Sequence, residues 1–171
     1  MQMHEMISVA RSFLRARGRS DAFLSSRYGS TFIDKAKAAG ANALLGQFTA
    51  SDRFDRVLKN LTVESVDEGR VTCSMVVDEG VQNAYKTLHG GAVSTIVDVV
   101  GTIALLSIDA TKPGVSVDLN VSFATAAMAS STVQIEGKVL KMGKRLGFTT
   151  VDIRREDGTL VATGRHTKAF K

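Results

Sequence analysis

Residues 88–108 read LHGGAVSTIVDVVGTIALLSI, and their pattern decides the fold. Beyond Gly90-Gly91 the run is apolar on nearly every face at helical spacing, so it predicts a helix that its surroundings cover on most sides. The 18 residues from Gly91 to Ile108 touch the lower bound for a membrane span. Ser94, Thr95, Asp98, Thr102 and Ser107 make insertion unfavourable, a central aspartate alone costing about 3 kcal/mol in lipid. The expectation is a core helix and no membrane span. Asp98 is the one charged residue within it.

Working outward, both flanks read as strands. Leu61–Val77 is a hairpin, with Asp67-Glu68-Gly69 between two β-rich runs. After Pro113-Gly114, residues Val115, Val117, Leu119, Val121 and Phe123 alternate with polar neighbours at a period of two. Ser131–Leu140 and Phe148–Arg155 follow, joined by a turn over Lys141–Arg145, and Asp157-Gly158 marks a tight turn before Thr159–Phe170. Upstream, Ser51–Leu61 has the spacing of a short amphipathic helix capped by Ser51. The inventory predicts an α+β domain over 51–171, an antiparallel sheet of five to six strands wrapped around one long helix.

Residues 1–50 read differently. They are rich in Arg, Ser, Ala and Gly, with weak hydrophobic periodicity, and form an N-terminal extension. Within residues 1–30, Arg11, Arg15, Arg17, Arg19 and Arg27 stand against Glu5 and Asp21 alone, the composition of a mitochondrial transit peptide. A mitochondrial location is therefore expected, a cytoplasmic one if the extension is an ordinary solvated tail. The net charge of +5 in 171 residues favours anionic partners, but aromatic residues interleaved with basic ones occur only in this tail, so no nucleic-acid partner is expected. One cysteine, Cys73, excludes an internal disulfide and cysteine-based metal centres. His4, His89 and His166 lie too far apart for a ligand motif, so neither metal nor cofactor is expected.

Two places could carry chemistry. An isolated carboxylate in an apolar helix is costly to bury, and such costs gather at functional sites; read alone, Asp98 is equally a group facing solvent or bridging a subunit contact. The approach Leu88-His89-Gly90-Gly91 offers free N–H groups at a helix N-terminus, suited to a developing oxyanion, or is simply a glycine turn with His89 as its cap.

In combination these residues are more specific. Asn83, His89-Gly90-Gly91 and Asp98, followed by Pro113-Gly114-Val115-Ser116-Val117-Asp118, resemble the hotdog-fold acyl-coenzyme A thioesterases, in particular the thioesterase superfamily member 2-like group related to phenylacetic-acid-pathway thioesterases. Lys141–Arg145 and Gly164–Lys168 are similar to that group as well, and the resemblance runs from about Ser51 to Lys168. It implies a hotdog fold and hydrolysis of acyl-CoA to free fatty acid and CoA, medium to long chains favoured. It makes Asp98 the base that activates water. Asn83 and the Gly90 N–H would polarise the thioester carbonyl, with His89 beside them and Ser116 helping to hold the water. Lys144, Arg145, Arg165 and Lys168 would meet the CoA phosphates. A homodimer, paired into a homotetramer, is implied. Two places depart from the group: the turn Ala124–Ala129 lacks its proline, and Tyr85-Lys86 fills a loop where smaller residues are usual.

Geometry adds an independent step. Asp98 lies eight residues after Gly90, about 12 Å along a helix axis. A base and an oxyanion donor must each lie within about 4 Å of the reacting carbonyl or its water. If both act, they come from different subunits, and a monomer is inactive. The competing reading is a hotdog dimer that binds acyl-CoA or another protein without turnover.

Overall fold

The computed structural model describes residues 30–50 and 52–171. The arginine-rich segment read as a targeting peptide, and Ser51, lie outside the described residues. Six strands form one antiparallel sheet: β1 (Leu61–Asp67), β2 (Arg70–Val76), β3 (Val115–Phe123), β4 (Thr132–Met142), β5 (Leu146–Arg155) and β6 (Leu160–Ala169). Their spatial order is β1-β2-β4-β5-β6-β3. Among the described residues two α-helices accompany them, α1 (Ser30–Thr49) and α2 (Gly90–Ile108).

α2 is long and apolar enough to cross a membrane, yet eleven of its residues are buried within the fold, the position expected of a core helix. Its closeness to the sheet depends on small residues opposite it. A Cβ on Gly164 of β6 would stand 2.5 Å from Val97 Cγ2, and one on Gly137 of β4 would stand 2.8 Å from Val100 Cγ1. Val97 and Val100 therefore seat directly on strand backbone, and this contact fixes how Asp98, between them in the sequence, addresses β6.

Two segments differ from the sequence reading. The amphipathic stretch over 51–61 forms only a 3-10 helix, Phe54–Leu58, because Leu61 is already taken by β1 and too few residues remain for a second α-turn. Within the expected N-terminal extension, α1 packs on β1, burying Ala38, Ala41 and Leu45. The Asn42 side chain donates to Val63 O at 2.7 Å and accepts from Val63 N at 2.8 Å, standing in for a neighbouring strand. The β1 edge is thereby closed. The opposite edge, β3, carries exposed Val115, Val117, Leu119 and Phe123; long apolar edges of this kind invite pairing with another chain.

Candidate active site

The N-terminal end of α2 forms the first station. Asn83 ties its own loop together: its Oδ1 accepts from the backbone N–H of Tyr85 and Thr87, and its Nδ2 donates to Thr87 Oγ1 at 2.8 Å. One amide hydrogen of Asn83 remains for another acceptor. His89 caps the helix, its Nδ1 accepting from Gly91 N at 2.8 Å. Gly90 follows as the first helical residue, and its N–H has no acceptor among the described residues. Asn83 and Gly90 both line a cleft of about 380 Å³, walled by Leu88, Val93, Phe123 and Val161. Part of the Ala124–Ala129 turn, where the sequence departs from the group it resembles, lines the same cleft.

The second station lies further along α2. Asp98 and Thr102 stand one turn apart on one helix face, and Thr102 Oγ1 donates to Asp98 O at 2.7 Å. From β6, His166 Nε2 lies 3.6 Å and Lys168 Nζ 3.8 Å from Asp98 Oδ1. Lys168 Nζ donates to Thr102 Oγ1 at 2.9 Å. From β3, Ser116 Oγ meets His166 Nε2 at 2.8 Å. The carboxylate itself remains half exposed, at 48%.

Ser116 reaches this cluster through an irregularity. Strict alternation along β3 would turn Ser116 with Asn120 and Ser122 away from the helix. A bulge between Ser116 and Asp118 shifts the register, so that Ser116 pairs with Lys168 while Leu119 pairs with His166, and all four share the inner face. The irregularity thus aims a hydroxyl at the histidine.

His166 is completely buried, and burial is the main reason its pKa is held below the usual histidine value. Asp98 and Asp118 pull it upward and Lys168 pushes it down. Its Nδ1 is buried without a partner among the described residues. A bare acceptor is tolerated there more readily than a stranded N–H donor, so the neutral ring carries its proton on Nε2 and donates to Ser116 Oγ. Burial likewise lowers the pKa of Lys168, with Asp98 opposing the shift.

The structure thus groups Asn83, His89 and Gly90 at one station and Asp98 and Ser116 at the other. Lys144 and Arg145 are exposed in the β4–β5 turn, and Arg165 is exposed on β6. Lys168, expected among these phosphate contacts, sits apart from them. Side chains alternate across a strand, so with Arg165 outward, Gly164, His166 and Lys168 point inward, and Lys168 is only 6% exposed. Sequence reasoning assigned no role to His166 or Thr102. The usable signals were parity with Gly164 on β6 and the one-turn spacing of Thr102 from Asp98.

Comparison with known proteins identifies the family. Residues 85–162 match the sequence pattern of the Thioesterase superfamily. Human acyl-coenzyme A thioesterase 13 is 45% identical over 121 residues, 70% of this chain and 86% of that protein. Among solved structures, zebrafish thioesterase superfamily member 2 superposes with a TM-score of 0.76 at 38% identity, covering 78% of this chain and 98% of that one. The mouse member 2 structure does so with a TM-score of 0.72 at 36% identity, covering 78% and 97%. The chain belongs to the thioesterase superfamily and has the hotdog architecture of its α+β members.

Proposed function

We propose that this protein hydrolyses acyl-CoA thioesters to free acid and CoA, with medium to long fatty acyl groups favoured, at a site shared between two subunits. The observation that carries this reading is the Asp98 cluster: a carboxylate on a core helix, faced by His166 and Lys168, with one half of its surface open. Similarity to an acyl-coenzyme A thioesterase supplies the substrate class. In the proposed reaction the thioester oxygen sits against the Gly90 N–H and Asn83 Nδ2 of one subunit. Asp98 of the other takes a proton from water as the water oxygen attacks the carbonyl carbon. The tetrahedral intermediate then collapses with cleavage of the C–S bond, and the CoA sulfur leaves with the proton that Asp98 took up, which restores the carboxylate. Ser116, held by His166, holds the attacking water.

The bare, apolar β3 edge supports pairing of two copies there, with β1 closed by Asn42; such dimers pairing further would give the homotetramer. Lys144, Arg145 and Arg165 supply exposed positive charge for the CoA phosphates. The arginine-rich N-terminal segment is read as directing the protein to mitochondria, and sequencing the mature N-terminus of the native protein tests that.

The main experiment assays thiol release from acyl-CoA substrates of graded chain length, wild type beside Asp98→Asn. Loss of the general base lowers kcat by about 100-fold or more. Undiminished hydrolysis by a folded Asp98→Asn protein removes the carboxylate from the reaction, and tight acyl-CoA binding without turnover by the wild type makes the dimer a carrier.

A further inference from the structure

Among the described residues Lys168 is a buried cation for which the phosphate-binding reading leaves no room. Its side chain is enclosed on several sides. It is 6% exposed, and the turn at Gly114 closes over its stem. Gly114 has φ +65°, and a Cβ there would come within 3.1 Å of Lys168 Cβ. Burying an ammonium is unfavourable unless a counter-charge and hydrogen-bond acceptors accompany it. Both are present: Thr102 Oγ1 accepts from Nζ at 2.9 Å, and Asp98 Oδ1 lies 3.8 Å away. Thr102 in turn donates to the backbone oxygen of Asp98. The lysine therefore grips the same helical turn by two routes, one through charge and one through a hydroxyl.

We infer that Lys168, seated on Thr102, is a positioning residue for Asp98, holding Oδ1 so that the other carboxylate oxygen is presented to water. The inference deepens the proposed hydrolysis and rests on Asp98 acting as its base. The contacts from Thr102 at 3.5 Å, His166 at 3.6 Å and Lys168 at 3.8 Å all fall on Oδ1. His166 is held neutral by burial, so Lys168 is the cation that faces the carboxylate. The charged and titratable groups around Asp98 are His166 and Lys168 from β6 and, acting on His166, Asp118 from β3. β5 brings Thr149 and β4 brings Gly137 against α2, neither of which titrates in this range.

The test is steady-state kinetics of Lys168→Met with a long-chain acyl-CoA, beside Lys144→Ala. Positioning predicts a kcat lowered about tenfold with KM changed less than about twofold. Lys144→Ala gives the contrasting pattern of raised KM with kcat retained. If Lys168→Met instead raises KM and retains kcat, Lys168 is a substrate ligand and the inference is overturned. Should Lys168→Met not fold, Thr102→Val, which keeps the shape and removes the seat, lowers kcat about threefold with KM little changed; a wild-type kcat overturns the inference equally. Asp98→Asn assayed alongside separates the two layers. If it is active, the base assignment fails and the inference with it. If it is inactive while kcat of Lys168→Met matches wild type, the inference alone fails.

Discussion

The two stations on α2 are built from different materials. The amide station uses local turn chemistry: an asparagine that ties its own loop, a histidine cap and a helix N-terminus opening on an apolar cleft. Its polarity comes from backbone dipoles, which do not titrate. The carboxylate station uses side chains from three elements, α2, β3 and β6, and the charges of Asp98 and Lys168 act on His166. One station is therefore set by conformation and the other by electrostatics and packing. Both lie on one helix, about 12 Å apart, which is the physical reason the proposed reaction draws on a second copy.

Splitting the stations between subunits gives the largest effect. Gly90→Pro deletes the amide hydrogen, and the backbone tolerates it, since proline suits the first helical position and His89 before it is already extended at φ −68°, ψ 135°. Losing one oxyanion donor costs about 100-fold or more in kcat, and Asp98→Asn costs a similar factor. Refolding the two inactive proteins together at equal amounts makes half the dimers mixed, each with one intact site, so about a quarter of wild-type activity returns. No recovery on mixing, with mixed dimers demonstrated by mass, places both stations' partners within one chain and ends the shared-site reading.

Much of the scaffold for this comparison was legible in the sequence. Val115–Phe123 emerged as β3 with the bounds its alternation indicated, and the apolar run after Gly90 emerged as the core helix. Local periodicity sufficed because each element has one dominant environment. The carboxylate station was only half legible. Asp98 stood out as a lone charge, but Ser116 reaches it through a bulge, which perfect alternation over Val115–Phe123 conceals. His166 and Lys168 lie in a polar run, Gly164–Lys168, whose inward parity is set by Val97 seating on Gly164, a contact 67 positions away in the chain. α1 was missed for a related reason. Its Ala- and Gly-rich face reads as weakly amphipathic, yet small residues suit close packing, and Asn42 does its work through main-chain bonds to β1 that no hydrophobic pattern encodes.

Gly164 offers a way to disturb one station more than the other. In Gly164→Ala the new methyl meets Val97 Cγ2 at 2.5 Å and Cγ1 at 2.6 Å, so α2 must lift from β6 beside Asp98. Overpacking of this kind costs about 1–3 kcal/mol of folding stability, measurable by urea denaturation. The His89 cap and the Asn83 loop do not contact this point, so kcat falls more than KM rises. Stability and kcat equal to wild type would mean that α2 is not held where Val97 and Gly164 touch.

The mildest perturbation is acid, and it separates the stations by chemistry. His166 has its pKa lowered, chiefly by burial, whereas in the unfolded chain it titrates near the ordinary value of about 6.5. Above that value both states hold the ring neutral, and His166 adds no pH dependence. Below it the unfolded chain takes up a proton that the folded protein resists, so stability falls as pH drops from about 6.5 towards the lowered value. His166→Gln removes the titration while keeping a polar group near Ser116. Urea denaturation at pH 7.5 and 5.5 should therefore show a larger acid loss for wild type than for the variant, and parallel losses would assign the acid sensitivity elsewhere. Activity follows the same logic: protonating His166 would place a cation against Asp98 Oδ1 beside Lys168. That would crowd two positive charges onto one oxygen of the carboxylate station, whereas the Asn83 amide and the Gly90 N–H of the other station hold no charge for acid to change.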